Sequence, residues 1–304
     1  MNRMPSWRTE RGFSFVISLF FIVLLMTIAG GLAYRVRAEA SAMNNFKDET
    51  QAYYLAVAGL NRAIAEISGD FALVVRAEDG SALFAVKNDE GYSILRSTRE
   101  FDLGDGAVSY SIGDERGKIN LNTAKKETLL ELMRLLGVDG PDSGTIADAI
   151  IDWRDEDHDA GFTGAEDDYY SSVANPYGAK DDSFDTTGEA ALVKGMTKEV
   201  FHGTDDTPGA GAFLTAYGDG KVNVNTADEK VLIAALGAGA AAEILSRRAT
   251  GYFETPVHGG EVTSGVFSIT SRGTVRGLEA ALSAIVEKRG DRAVVLSFKP
   301  GPRS

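Results

Sequence analysis

The chain has no cysteine and carries few positive charges for its length. Its 304 residues include 31 Lys and Arg against 44 Asp and Glu, which gives a formal net charge of -13. Without cysteine, disulfide bonds and thiolate metal sites are excluded. The acidic balance argues against a nucleic acid as the main partner, because phosphate backbones are bound by clusters of Lys and Arg.

Histidine is also scarce, and the signatures of common catalytic sites are missing. The three histidines, His158, His202 and His258, are too few and too scattered for a catalytic triad or a zinc site, and no G-x-S-x-G motif occurs. A G-x-G-x-x-A match at 237–242 follows a predicted helix instead of a strand, so it does not indicate a dinucleotide site. We therefore expect a protein that is not an enzyme.

Charge is absent from a run of 22 residues near the N-terminus, at 13–34. As a helix this run would be ~33 Å long, which is enough to cross a hydrocarbon core of ~30 Å. Arg3, Arg8 and Arg11 precede it, and such basic flanks favour a cytoplasmic N-terminus with the rest of the chain exported. The alternative is a signal peptide cleaved after the Ala-Glu-Ala sequence at 38–40, although Arg35 and Arg37 before that sequence and the length of the apolar run are atypical of one.

The apolar run continues into an amphipathic pattern without a turn signal. Six apolar residues recur every three, four or seven positions, as expected for one stripe of a helix: Phe46, Tyr53, Val57, Leu60, Ile64 and Ile67. No proline interrupts 13–67. The pattern favours one continuous helix that spans the membrane and then packs on a globular body, over an anchor followed by a separate helix.

The start of this helix resembles the N-terminus of the type IV pilin-like proteins. A short basic leader, residues 1–12, ends in Gly12, and Phe13 begins the hydrophobic helix. The resemblance implies that a prepilin peptidase cuts between Gly12 and Phe13 and that the new N-terminus is methylated. Most pilins have Glu at mature position five, where this chain has Ile17. That Glu is thought to pair with the N-terminal amine of the adjacent subunit, so its absence suits a tip subunit with no subunit beyond it.

Short strand patterns separated by Gly- and Asp-rich turns follow the helix. Four of them, at 71–76, 82–87, 91–97 and 107–112, predict an antiparallel meander packed on the helix. Three more lie near the C-terminus, at 260–277, 280–288 and 292–300. Helical periodicity occurs between the two groups, at 127–137, 144–154, 228–236 and 240–250.

One eight-residue phrase occurs twice, as GKINLNTA at 117–124 and GKVNVNTA at 220–227. Each phrase is predicted to be a strand that ends at a threonine, Thr123 or Thr226, which caps the next helix. The predicted sheet stops at the first phrase and resumes at the second. The predicted segments are a leader (1–12), a long helix (13–67), the first part of the sheet (68–123), an inserted helical domain (124–215) and the second part of the pilin-like domain (216–304).

The acidic segment DEDHDAGFTGAE at 155–166 has the spacing of a calcium loop. Asp155, Asp157, Asp159 and Glu166 match positions 1, 3, 5 and 12 of an EF-hand loop, although the glycine expected at position 6 is Ala160. Converging carboxylates repel one another unless a divalent cation neutralises them. We expect Ca²⁺ here, with three further candidate ligands and a possible second site; the further ligands are Asp152, Asp167 and Asp168, and the second site comprises Asp181, Asp182 and Asp185.

The segment 150–170, following the first phrase and a helical hairpin, resembles the general secretion pathway protein K family, the largest minor pseudopilins of the type II secretion system. The matching positions are Asp152, Trp153, Asp155, Asp157, Gly164, Ala165, Glu166, Tyr169 and Tyr170. The resemblance implies an α+β, type IV pilin-like fold, in which a long N-terminal helix packs on an antiparallel sheet and a large helical insertion binds calcium.

The same resemblance implies a location and a set of partners. The protein would be a single-pass protein of the cell inner membrane with its soluble domain in the periplasm, where it caps the pseudopilus tip and helps to start assembly for protein export. Its expected partners are the other minor pseudopilins, the major pseudopilin, the prepilin peptidase, the inner-membrane secretion platform and the lipid bilayer, and no nucleic acid.

A helix-hairpin-helix module for DNA binding or uptake is the alternative. Each N-x-N-T-A phrase is followed by a helix, a Gly-containing turn and a second helix, with the turns at 136–140 and 236–239. Such hairpins present backbone N–H groups and nearby basic side chains to phosphate. Here the first hairpin leads into an acidic loop, and the second has Arg247 and Arg248 but lies in a strongly acidic chain, so the alternative is disfavoured.

Overall fold

The computed structural model describes residues 10–95 and 98–303, and most of the predicted leader, residues 1–9, lies outside them. One uninterrupted helix, α1 (Glu10–Ser68), begins the described chain, as the unbroken apolar pattern predicts. Residues 13–47 are exposed along their whole length, and burial begins at Asp48. About 50 Å of helix therefore projects from the body, and it is long and apolar enough to cross a membrane.

Antiparallel strands form two sheets beside the buried half of α1, and a short parallel pair lies apart from them. The strands are β1 (Leu73–Arg76), β2 (Ala82–Asn88), β3 (Gly91–Ile94), β4 (Glu100–Leu103), β5 (Gly106–Asp114), β6 (Ile119–Asn120), β7 (Leu214–Thr215), β8 (Val266–Val275), β9 (Leu278–Arg289) and β10 (Arg292–Arg303). The first sheet has the order β1-β2-β3, the second has the order β10-β9-β8-β5-β4, and β6 pairs with β7. The expected single meander is wrong, because β5 leaves the first three strands and pairs with β8 along its length.

Glycine allows α1 to approach the five-stranded sheet closely. A Cβ added at Gly273 of β8 would lie 2.1 Å from the Ala52 carbonyl oxygen of α1. Beside it, the Ser271 hydroxyl donates a hydrogen bond of 2.7 Å to the Ala56 carbonyl. The buried face of α1 packs with inward side chains of both sheets, among them Phe84 and Phe267. This is the helix-on-sheet arrangement of a pilin-like fold.

The remaining helices lie between β5 and β8 in the sequence and form a second body. They are α2 (Lys126–Leu135), α3 (Gly140–Arg154), α4 (Asp167–Tyr170), α5 (Lys198–His202), α6 (Glu229–Leu236) and α7 (Ala238–Arg248). The three-stranded sheet joins the two bodies through its alternating side chains. Leu73 and Val75 face the helical body, whereas Val74 faces α1.

The expected domain boundary at 216 is wrong. Residues after it, including Val231, Ile244 and Phe253, share one core with Leu129 and Ile150 of the first hairpin. The reason is that α2 and α6 pack against each other, so the second hairpin belongs to the helical body. The pilin-like sheet resumes only at β8.

The two repeated phrases are mainly turns, and their predicted strand and cap assignments are wrong beyond the two residues of β6. Asn120 accepts a hydrogen bond from the Asn122 N–H at 2.8 Å, and Asn223 accepts one from the Asn225 N–H at 3.0 Å. Such Asx turns replace strand pairing with side-chain hydrogen bonds. The helices begin later than expected, with N-caps at Lys125 and Asp228 instead of Thr123 and Thr226.

Candidate metal centre

The acidic loop is held against the last two turns of α3 by two buried carboxylates. Asp152 accepts hydrogen bonds from the Gly161 N–H at 3.1 Å and from the Ala165 N–H at 2.7 Å. Asp148 accepts from both the N–H and the hydroxyl of Thr163, at 3.2 and 2.8 Å. Because α3 is rigid, these bonds fix the path of the loop from 161 to 165.

Gly164 is the point of closest approach between the loop and α3. A Cβ at this position would lie 1.7 Å from the Asp152 Oδ2 atom. Real Cβ atoms do not approach so closely, and the Asp152 carboxylate is held by the hydrogen bonds just described. The loop therefore requires glycine at 164, whose lack of a side chain brings Glu166 to the end of α3.

Carboxylates converge at the end of α3. Asp155, Asp157 and Glu166 each offer one oxygen, and these atoms all lie within 4.8 Å of one another. A second group, composed of His158, Glu166 and Asp181, meets the same criterion. Glu166 is common to both groups, so the four carboxylates, Asp155, Asp157, Glu166 and Asp181, form one cluster, which we call the acidic cluster.

Several oxygens of the acidic cluster are buried without a hydrogen-bond partner among the described residues. They are one oxygen of Asp155, one of Asp181 and both of Glu166. Glu166 is only 6% exposed. Buried polar atoms are normally hydrogen-bonded, and an unsatisfied carboxylate carries a large desolvation penalty. The chemistry of these donors fits a hard cation, which binds through oxygen.

Burial and the close approach of other carboxylates also raise the pKa values of two members of the acidic cluster. Burial raises the pKa of Glu166 to about 7, and the negative charges of Asp152, Asp181 and Asp155 add to the effect. Burial, followed by the charges of Asp157 and Asp152, also raises the pKa of Asp155. Without a cation, Glu166 of the folded protein is therefore mostly protonated below about pH 7 and mostly charged above it.

The structure does not bring every predicted ligand into the acidic cluster. Asp152 is engaged with backbone N–H groups, and Asp167 accepts from the Ala179 N–H at 2.8 Å. The Asp159 side chain is exposed, while its N–H donates to Asp157. Asp168 is also exposed.

The three residues predicted as a second site are separated. Asp181 joins the acidic cluster, whereas Asp182 accepts from the Ser183 N–H and Asp185 pairs with Lys180 at 2.7 Å. Sequence reasoning did not assign Asp181 to the first group because nothing local signals the approach. Its backbone φ of 50° is uncommon for a residue other than glycine.

An aromatic group packs beneath the acidic cluster and links it to the first repeated phrase. Trp153, at the end of α3, contacts Tyr170, Tyr177 and Phe184, with ring centroids 5.2 to 6.3 Å apart. Asn122 of the phrase holds Phe184 by both backbone groups, accepting from its N–H at 2.7 Å and donating to its carbonyl at 3.0 Å. The phrase thereby fixes the segment that carries Asp181.

The second phrase makes the same contact elsewhere. Asn225 accepts from the Phe253 N–H and donates to the Phe253 carbonyl, both at 2.8 Å. In each hairpin an arginine at the end of the second helix also donates to the alanine carbonyl of the phrase, Arg154 to Ala124 and Arg248 to Ala227. The repetition is therefore structural, and each phrase anchors one hairpin.

The residues predicted for processing and tip position lie on the projecting helix. Gly12 and Phe13 are within α1. Phe13 is 70% exposed and Ile17 is 40% exposed. The apolar surface around Ile17 has no partner among the described residues.

The chain is similar in fold to a chain in the crystal structure of the GspK-GspI-GspJ complex from the type 2 secretion system of enterotoxigenic Escherichia coli. The TM-score is 0.58 at 18% identity, over 88% of this chain and 99% of the other. This similarity supports the α+β pilin-like fold with its helical insertion.

Residues 110–204, which include the first phrase and the acidic cluster, match the family model of type II secretion system protein K. The chain is 23% identical to the type II secretion system protein K of Aeromonas hydrophila, over 65% of this chain and 62% of the relative. It is 27% identical to that of Pseudomonas aeruginosa, over 75% and 68%. By these matches the chain is similar to the type II secretion system protein K family. It spans less than two thirds of the Aeromonas relative, and these similarities give no support to the DNA-binding alternative.

Proposed function

We propose that this protein is the minor pseudopilin that caps the tip of the type II secretion pseudopilus and helps to start its assembly. The observation that carries this proposal is the projecting, wholly exposed part of α1, in which Ile17 occupies the position of the usual glutamate. An apolar helix of this length needs a membrane or a helix bundle around it. Without a carboxylate at 17, the subunit has no group to engage an amine beyond it.

The proposed processing and location follow from the same helix. Prepilin peptidase would cut between Gly12 and Phe13, and the new N-terminus would be methylated. The helix would remain in the inner membrane with the body in the periplasm. The partners would be other minor pseudopilins, as the names in the similar complex suggest, together with the major pseudopilin and the inner-membrane platform.

Ile17→Glu tests the proposed tip position. In cells that carry the complete secretion system, the variant should be incorporated along the filament, which raises its ratio to the major pseudopilin in sheared pseudopili and lowers secretion. Leu19→Glu is the matched control, because it places the same charge on the same helix at another position. If Ile17→Glu matched the native chain in both ratio and secretion, the role of position 17 would be excluded.

We also propose that the acidic cluster binds Ca²⁺ and thereby orders the helical body. Four carboxylates support a hard cation, which takes six to eight oxygen ligands, and so do the buried oxygens of Glu166, which have no hydrogen-bond partner among the described residues. The ligands we propose are Asp155, Asp157, Glu166 and Asp181. The nitrogen of His158 lies 3.4 Å from Asp181 and would favour a transition metal instead.

Calorimetric titration of the full chain with Ca²⁺, Mg²⁺ and Zn²⁺ tests this assignment. We expect Ca²⁺ to bind most tightly, and Glu166→Gln to weaken it at least tenfold, which is about 1.4 kcal/mol. Asp159→Asn is the matched control from the same loop, and it should leave the affinity unchanged. Tighter binding of Zn²⁺ that disappears in His158→Ala would identify a transition-metal site and overturn the calcium assignment.

A further inference from the structure

A cavity of about 450 Å³ lies between the three-stranded sheet and the end of α7, away from the acidic cluster. Apolar side chains form much of its wall, among them Val75, Ile94, Leu245 and Tyr252. The Tyr252 hydroxyl donates to the Tyr92 carbonyl at 3.3 Å, which fixes the ring in place. The size and the apolar wall are those of a small-ligand pocket.

Two arginines line this cavity, and both are anchored to consecutive carbonyls of the second phrase. Arg76 donates through Nη1 to the Thr226 carbonyl at 3.3 Å, and Arg248 donates through Nη1 to the Ala227 carbonyl at 2.6 Å. In the described part of the chain, their Nε and Nη2 groups make no further hydrogen bond. Both guanidinium groups are therefore anchored at the wall of the cavity with donors still available.

The positive charge of the pair is only partly compensated. Asp228 lies 3.8 Å from Arg76, but it does not line the cavity and caps α6 by accepting from the Lys230 N–H. Within residues 10–95 and 98–303, no carboxylate lies within 4.0 Å of the Arg248 guanidinium. Burial and then the neighbouring charge of Arg76 lower the pKa of Arg248, and the charge of Asp228 opposes the shift. A partly buried cation beside a second cation is unfavourable unless an anion joins them.

The first hairpin shows the same arginine in a satisfied environment. Arg154 donates to two carbonyls, those of Leu121 and Ala124. Burial lowers the pKa of Arg154, and the charge of the adjacent Asp155 opposes that shift. Arg248 occupies the equivalent position in the second hairpin with one carbonyl contact, and it faces a cavity. The two arginines therefore differ in their hydrogen bonding, and Arg248 keeps donors available at the cavity.

We propose that this cavity binds the carboxylate at the end of an apolar chain. The two guanidinium groups are offset by Glu78 in the lining and by Asp228 beside Arg76, so a monoanionic carboxylate is less strongly repelled than a dianionic phosphate. Guanidinium forks match the planar carboxylate, and the apolar wall accepts the attached chain. The C-terminal residue of a peptide and a fatty acid both have this chemistry.

Calorimetry on the full chain in lipid nanodiscs tests the proposal with four probes. N-acetyl-leucine should bind with a Kd below about 1 mM, and N-acetyl-leucinamide, which lacks the charge, should not. Sodium octanoate represents the fatty acid source, and inorganic phosphate tests for non-specific anion binding. Tighter binding of octanoate than of N-acetyl-leucine would identify a fatty acid as the ligand, and the reverse would identify a peptide C-terminus.

Arg248→Gln should weaken binding about ten- to a hundredfold, the range for a charged hydrogen-bonded contact. Arg76→Gln, at a side chain that is 35% exposed, provides a second test if Arg248→Gln does not fold. Arg272→Gln on β8 of the five-stranded sheet, at a side chain that is 57% exposed, is the charge-matched control and should bind normally. Equal binding of acid and amide, binding of phosphate alone, or no effect of either cavity substitution would overturn the proposal.

Discussion

Removal of calcium at two pH values tests the electrostatics of Glu166 in the acidic cluster. The pKa of Glu166 is about 7 in the folded, cation-free chain, compared with an ordinary value of 4.5. Because the folded pKa is raised, the folded state binds the extra proton between these values, and the free energy of unfolding falls as the pH rises through this window. At about 1.4 kcal/mol per pH unit, the full effect is about 3 kcal/mol.

Asp155 shifts in the same direction and adds to the loss. The lowered pKa of Asp148 has the opposite effect on stability. Its contribution to the free energy of unfolding is lost as the pH falls below the ordinary value of 3.8, and that pH lies outside the range of the test. A bound Ca²⁺ would neutralise the acidic cluster and remove the dependence on Glu166. The stabilisation by calcium should therefore be small at about pH 5 and greatest at about pH 8.

Urea unfolding of the full chain in nanodiscs measures this difference through the fluorescence of Trp153, which packs beneath the acidic cluster. Trp7, the other tryptophan, is replaced by Phe so that it does not contribute. Glu166→Gln should abolish most of the pH dependence without calcium, whereas Asp159→Asn should behave like the native chain. Equal stability of the chelated chain at the two pH values would refute the assignment of a buried, crowded Glu166.

Four further substitutions test the packing around the acidic cluster, the helix and the repeated phrases. Gly164→Ala should lower the free energy of unfolding by about 3 kcal/mol, because its Cβ would overlap the Asp152 carboxylate. The control is Gly188→Ala, whose Cβ would make only an ordinary contact with Thr186, and it should change the free energy of unfolding by less than about 0.5 kcal/mol. Urea unfolding compares the two variants. Gly273→Ala should separate α1 from β8 at a cost of about 3 kcal/mol, seen as a lower melting temperature. Asn122→Ala and Asn225→Ala should each cost about 2 kcal/mol by leaving buried backbone groups unpaired, but only Asn122→Ala should also weaken calcium binding, since it alone anchors the segment of Asp181.

Regular periodicity made the helices predictable from the sequence. The stripe from Phe46 to Ile67 indicated one helix, and the structure has it as α1. The last three strands were also predictable, since alternating apolar residues mark β8, β9 and β10. The short strand β4 was not predicted, because four mostly exposed residues carry little alternation.

The repeated phrases were wrongly predicted as strands because their apolar and polar residues alternate as they do in a strand. In INLNTA and VNVNTA the alternating polar residues are asparagines, whose side chains form turns and hold distant backbone groups of Phe184 and Phe253. That pairing joins residues 28 and 62 positions apart, so local pattern cannot reveal it. The boundary placed at 216 was wrong for the same reason, because α2 and α6 pack across about 100 residues of sequence.

The candidate metal centre was predictable only where its ligands are close in sequence. The spacing of Asp155, Asp157 and Glu166 indicated a shared site, and the structure brings these three together. Asp181 arrives from a separate loop and was assigned to another site. Asp159 fits the spacing but is exposed, a detail set by the hydrogen bonds that hold residues 161–165 on α3.

N-terminal sequencing with intact mass of the protein extracted from membranes is the most direct test of the proposed pseudopilin role. We expect the mature chain to begin at Phe13 and to carry a methyl group on its amine, with the whole of the projecting helix retained. A chain that begins at Ser41, after a signal peptide, would lack the apolar half of α1 and would contradict the proposal.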